Sequence, residues 1–117
     1  MSEMIETLRK AGCDVDGALD RCLQDEEFYL SLLSQSVEDE AFDKLGNCLK
    51  EHKVQEAFDC AHTLKGIMSN MGLTPVYNIV VKIVEPLRKG DDTGLEPVFD
   101  ELMVEIDKFR VLLKDAL

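Results

Sequence analysis

The chain lacks a basic charge balance: 24 acidic residues stand against 13 lysines and arginines, a formal net charge of −11. Nucleic acid and anionic membrane surfaces both require a net basic face, so neither is expected as a partner. A protein partner, or a small basic area within an acidic surface, fits better. The four cysteines, Cys13, Cys22, Cys48 and Cys60, form no CxxC pair and read as reduced thiols. The opening MSEMIETLRK has no basic region, apolar run or cleavage site of a secretory signal, and a cytoplasmic location is expected. The longest uncharged stretch, Gly66 to Val81, is interrupted by Gly72 and Pro75 and is too short and polar to span a bilayer. GxGxxG and GxxxxGK are both absent, and GDDTG is too short and acidic to cradle nucleotide phosphates. With no visible ATP site, the chain is not a complete kinase.

Strand-like alternation is also scarce. Leucine, alanine, glutamate and lysine instead recur at spacings of three and four, which places the chain in the all-α class. Ser2 caps a short helix that stops at Gly12, and Asp16 starts a second through Leu23; the two form an N-terminal cover. From Asp25, an apolar stripe through Leu30, Leu33, Val37, Ala41, Leu45 and Cys48 predicts one long helix, bent near Gly46. A second core helix runs from about Lys53 to Met71 and ends at Gly72; a third opens with Thr74 as cap and Pro75 in its first turn. Pro86 is expected to end or kink that helix near Val84, and RKGDDTG forms the turn before a last helix from about Leu95 to Asp115. Four long amphipathic helices joined by short turns predict an antiparallel four-helix bundle, a single domain over residues 1–117 with one or two short covering helices. At this length a domain buries roughly two thirds of its unfolded surface and can fold alone.

One of only two histidines lies in AHTLKGIMSNMG, on the second core helix. Val54, Ala57, Ala61, Leu64, Met68 and Met71 share the sector that faces the core, and His62 lies about 130° from its centre at 100° per residue. His62 therefore points to solvent, together with Phe58, Asp59, Lys65, Gly66 and Ser69, its neighbours one turn away. Glycine inside a helix costs about 1 kcal/mol against alanine, so Gly66 requires a reason: a missing side chain there lets another molecule approach the imidazole. Lys65 can swing its ammonium toward a group bound at the ring, and a phosphoryl dianion benefits most. Ser69 adds a hydroxyl donor. Imidazole, with a reference pKa near ~6.5, is a competent nucleophile when neutral.

His62, Leu64, Lys65, Gly66 and Gly72 stand at the spacing HxLKGxxxxxG, which resembles the histidine-containing phosphotransfer (HPt) domain of two-component phosphorelay systems. DEEFYLSLL resembles that family's opening of the long helix, and FDCAHTLKG its phosphoacceptor helix, so the likeness covers most of the chain. It implies a bundle whose exposed histidine takes a phosphoryl group from a receiver-domain aspartyl phosphate and passes it to another receiver. His62 then has the phosphoacceptor role, Lys65 that of charge support and Gly66 that of clearance. The implied partners are response-regulator receiver domains and a hybrid sensor kinase. The resemblance further implies a phosphocarrier rather than an enzyme, with no cofactor bound by this chain and magnesium expected on the receiver. Two positions depart from the family pattern. Ile67 replaces the small residue that often follows the KG pair and is expected to pack on a neighbouring helix. Many members have a glutamate 22 residues after the histidine, where this chain has Val84 and places Glu85 one step later.

Cys48, His52, Cys60 and His62 are possible zinc ligands, but Cys60 and His62 diverge by about 200° on a helix, so no metal site is expected. CDVDGALDRCLQDEE suggests a calcium loop, yet its glycine and final glutamate are misplaced. The alternative from another class is a helical adaptor that binds signalling proteins through the same face and is never phosphorylated. Phe58, Asp59, Ser69 and Lys82 are the candidate partner-binding residues: Phe58 as a part-exposed apolar anchor or simply boundary core, and Lys82 as a cation able to reach the phosphoryl site from the third helix. The exposed histidine face favours a monomer.

Overall fold

The computed structural model describes residues 2–116, with side chains as far as Lys114; Met1 and Leu117 of the expected domain lie outside the described residues. Seven α-helices, and no strand, occur among the described residues. The Ser2 side chain accepts a hydrogen bond from the Ile5 amide (3.2 Å) and opens α1 (Glu3–Lys10) as expected. The second short helix, α2 (Val15–Arg21), is capped two residues earlier than predicted and ends at Arg21 rather than Leu23. Asp14 rather than Asp16 is its cap, because the Asp14 carboxylate reaches the Gly17 amide (3.1 Å). Together α1 and α2 bury Ile5, Leu8, Val15, Ala18 and Leu19, which makes them the cover that the sequence anticipates.

The predicted long helix is in fact two, α3 (Glu26–Ser36) and α4 (Ala41–Lys50). The break falls at residues 37–40, not at a bend near Gly46. Two polar groups stabilise it. The Asp39 carboxylate accepts from the Ala41 amide (2.9 Å), restarting the helix, and the Val37 carbonyl accepts from Arg110 Nε (2.7 Å). Gly46 has a different task. A Cβ there would stand 2.7 Å from the Phe99 ring, so glycine lets that ring pack closely against α4.

Helix α5 (Val54–Asn70) matches its predicted bounds, with Lys53 and Met71 as flanking residues. Helix α6 (Thr74–Arg88) departs at both ends. Leu73, not Thr74, is its cap residue and makes no side-chain cap bond, while Pro75 occupies the first turn. Pro86 does not stop it near Val84. Val84 and Leu87 are buried on either side of the proline and hold the last turn to the core; the Pro86 carbonyl then accepts from Lys89 and Asp91 (both 3.0 Å) to end the helix. Helix α7 (Leu95–Ala116) closes the bundle.

α4, α5, α6 and α7 pack in a ring, each against the next and α7 back against α4, with α3 also on α7. The direction is antiparallel. Arg110 of α7 lies over Phe42 near the start of α4, while Phe99 meets Gly46 further along it. One apolar cluster joins side chains from all seven helices. Within it the inward face of α5, Ala57, Ala61, Leu64 and Met68, is fully buried. Burial of Leu64 and Met68 contributes about 1.5–3 kcal/mol each.

The C-terminal end of α5 is tied down from three sides. The buried Tyr29 donates its hydroxyl to the Met71 carbonyl (2.9 Å), and Arg21 donates to the carbonyls of Asn70 (2.9 Å) and Ser69 (3.1 Å). Gly72, at φ +70°, accepts from the Asp14 amide (2.8 Å), and any Cβ there would strike the Asp14 carbonyl. Tyr29→Phe is expected to lower stability by about 1 kcal/mol through loss of that bond, with helicity unchanged, measured by urea denaturation. Burial pushes the Cys13 thiol from its ordinary 9.0 up to about 11 and raises Tyr29 as well. Both groups favour their neutral forms when folded, so stability is fully present below pH 9 and falls as pH rises toward 11. Cys13→Ala should flatten part of that decline in denaturant midpoints measured across this window.

Candidate functional site

His62 reaches solvent because its helix is oriented by the opposite face: with Ala61 and Leu64 buried, the position between them in sequence is turned outward and exposed. A helical side chain leans toward the N-terminus, so the imidazole lies back over the preceding turn. There it meets Phe58. The two rings stack with centroids 5.6 Å apart and planes inclined by 14°. A side chain at position 66 would lean back over His62 in the same way. Gly66 supplies none, and a Cβ built on it finds no atom within 4 Å. The imidazole is thus supported on its N-terminal side and open on its C-terminal side.

Lys65 is half-buried and has no ion-pair partner among the described residues, so its ammonium is available to an incoming anion. Ser69 is exposed one turn beyond Gly66. Asp59 is exposed on the flank toward α4, where Gln55 Nε2 donates to its carboxylate (3.1 Å). Phe58 is partly buried against the core while also forming the stack, so boundary packing and an exposed apolar edge coexist in one side chain. Ile67 packs against the core as a flank residue.

Lys82 lies elsewhere: its ammonium is 3.5 Å from Glu101 of α7, and it stands about 120° around α6 from Arg88. Arg88 is the cation that α6 brings to this face. Its guanidinium carbon lies 5.3 Å from the Phe58 ring centroid, with Glu85 Oε2 3.7 Å from its Nε. Sequence reasoning missed Arg88 because ending the helix at Pro86 assigned RKG to a turn. Carrying the helix through the proline puts Arg88 on the last turn, opposite the first turns of the antiparallel α5. Val84 is fully buried and Glu85 is occupied by Arg88. Glu85 is therefore the acid that α6 places on this side, and it serves the guanidinium.

The candidate metal ligands do not converge. His52 Nδ1 sits 2.9 Å from Asp92 Oδ2 in the α6–α7 turn, and the Cys48 thiol is directed to Glu56 Oε2 (3.9 Å). Among the described residues no cluster of three or more ligating side chains forms, and no helix is long and apolar enough to cross a membrane.

An exposed imidazole with one open flank, beside an ammonium on a four-helix bundle, leaves a ring nitrogen accessible to an incoming anionic group. The model of the Hpt domain family matches residues 18–116, and the chain belongs to that family. Hpt domains are phosphocarriers of two-component signalling that interact with receiver domains and kinases. Comparison with curated proteins and with solved structures finds no significant match. Since nothing packs at position 66, Gly66→Ala is expected to raise stability by about 0.5–1 kcal/mol in chemical denaturation, the ordinary helix-propensity gain. A loss of stability would show that the glycine serves the fold rather than access.

Proposed function

We propose that this chain is a phosphorelay carrier that accepts a phosphoryl group on His62 from a receiver aspartyl phosphate and delivers it to a second receiver. The observation that supports this most is the exposed imidazole beside the empty space at Gly66. The unprotonated ring nitrogen attacks phosphorus in line. The bond from phosphorus to the receiver's carboxylate oxygen breaks, the carboxylate departs with the electron pair, and the phosphorylated ring can release its remaining proton to water. Delivery runs the same step in reverse toward another carboxylate.

On this reading each neighbour has one duty. Phe58 holds the imidazole at a defined inclination, Gly66 admits the acidic pocket of a receiver, and Lys65 balances charge on the transferred group. Because the receiver supplies its own acidic, cation-binding pocket, the carrier needs no further machinery. Phe58, Asp59 and Ser69 border the ring and make the contact surface, with the chain acting as a cytoplasmic monomer. Arg88, held over Phe58, adds positive charge to an otherwise acidic molecule on the side where a phosphoryl dianion would form.

Receiver domains charged with a small phosphodonor and mixed with the purified chain should leave acid-labile phosphate on His62. His62→Gln should abolish labelling with the fold intact by circular dichroism. Lys65→Ala should slow it roughly two- to fivefold, the scale of one exposed charge contact. Labelling of the His62→Gln protein would overturn the assignment. Receiver binding with no labelling of the native chain would favour the adaptor instead.

A further inference from the structure

The flank of α5 next to His62 carries a second chemical feature, independent of phosphate transfer. An open groove of about 450 Å³ runs between α4 and α5, and Lys44, Asn47, Cys48, Lys53, Glu56 and Cys60 line it. Two of these are thiols from facing helices. Cys48 and Cys60 are both free and only partly buried, and both line this one groove, Cys48 from α4 and Cys60 from α5. Cys48 also reaches Glu56 Oε2 at 3.9 Å, which places its sulfur on the α5 side of the groove.

The remaining cysteines provide an internal contrast. Cys13 and Cys22 are buried under the N-terminal cover, beyond the reach of a solute that does not unfold the chain. Accessibility and pairing thus coincide at one pair only. We infer that Cys48 and Cys60 form a reversible thiol–disulfide site, oxidised by a peroxide within the folded protein.

The chemistry balances without further reagents. The Cys48 thiolate attacks one peroxide oxygen, the O–O bond breaks, and a sulfenic acid and water result once the departing hydroxide takes a proton. Cys60 sulfur then attacks the sulfenic sulfur, the S–OH bond breaks and a second water leaves. Two thiols have lost two electrons and two protons, and one peroxide has become two waters. Two thiols that line one groove between packed helices reach disulfide distance by side-chain rotation and a small approach of the helices. Cys60 is drawn two ways: burial and the neighbouring Cys48 sulfur raise its pKa, and the Lys44 ammonium lowers it. The disulfide is the same whichever of the two sulfurs makes the first attack. The resulting bond would staple α4 to α5 two residues before His62, on the side of α5 turned toward α4.

The test uses the full chain. It is treated with hydrogen peroxide, quenched, unfolded, alkylated with N-ethylmaleimide and digested. The expected product is a peptide pair joined through Cys48 and Cys60, two hydrogens lighter than the reduced peptides and restored by dithiothreitol, with Cys13 and Cys22 alkylated in full. The thermal midpoint should rise on oxidation of the native chain and not in Cys48→Ser or Cys60→Ser, two partly exposed and conservative replacements. Full alkylation of Cys48 and Cys60 after peroxide, a bond to Cys13 or Cys22, or a link between two chains would each overturn the inference. Whether His62 accepts phosphate does not enter any of these readouts.

Discussion

Burial of one face of α5 is the constraint on which the rest depends. Ala57, Ala61, Leu64 and Met68 are fully enclosed, and a helix that commits that face inward has no freedom over the direction of the other. Rotation by a single residue would drive His62 into the core and expose Leu64 to water. The apolar transfer free energy of a few leucine-sized side chains, several kcal/mol in all, therefore sets the direction of an imidazole that contributes little to stability itself. The ties at the end of the helix, from Tyr29, Arg21 and the Asp14–Gly72 contact, prevent the rod from sliding along its axis.

Orientation is only one part of the surface around His62. Phe58 leaves the ring few inclinations, and the absent side chain at position 66 keeps its other flank open. Positive charge is local. In a chain of net charge −11, Lys65 and Arg88 bring cationic groups to the side of α5 that carries His62 and Phe58. An acidic protein can thus present a small cationic area to an anionic group without becoming a general binder of polyanions.

The differences between sequence and structure have a common origin. Apolar spacing identified α5 to within a residue at each end and the exposed position of His62, because both follow from periods within one helix. The break at residues 37–40 was not legible, since the Val37 carbonyl is satisfied by Arg110, 73 positions away. Gly46 read as a bend because its partner, the Phe99 ring, lies on another helix. Pro86 read as a stop because the isolated helix loses a hydrogen bond there, whereas the bundle holds Val84 and Leu87 in place across it. The same misjudged stop concealed Arg88.

The amino-acid sequence by itself determined the all-helical class, the inward stripe of α5, the outward imidazole and the clearance beside it, all of them consequences of the 3.6-residue period and of residue identity. Only the tertiary structure decided which cation stands over Phe58, that Lys82 is engaged by Glu101, where the long helix divides, and which two thiols share a groove. Those are contacts between helices, and no period within one helix encodes the rotation and register of its neighbour.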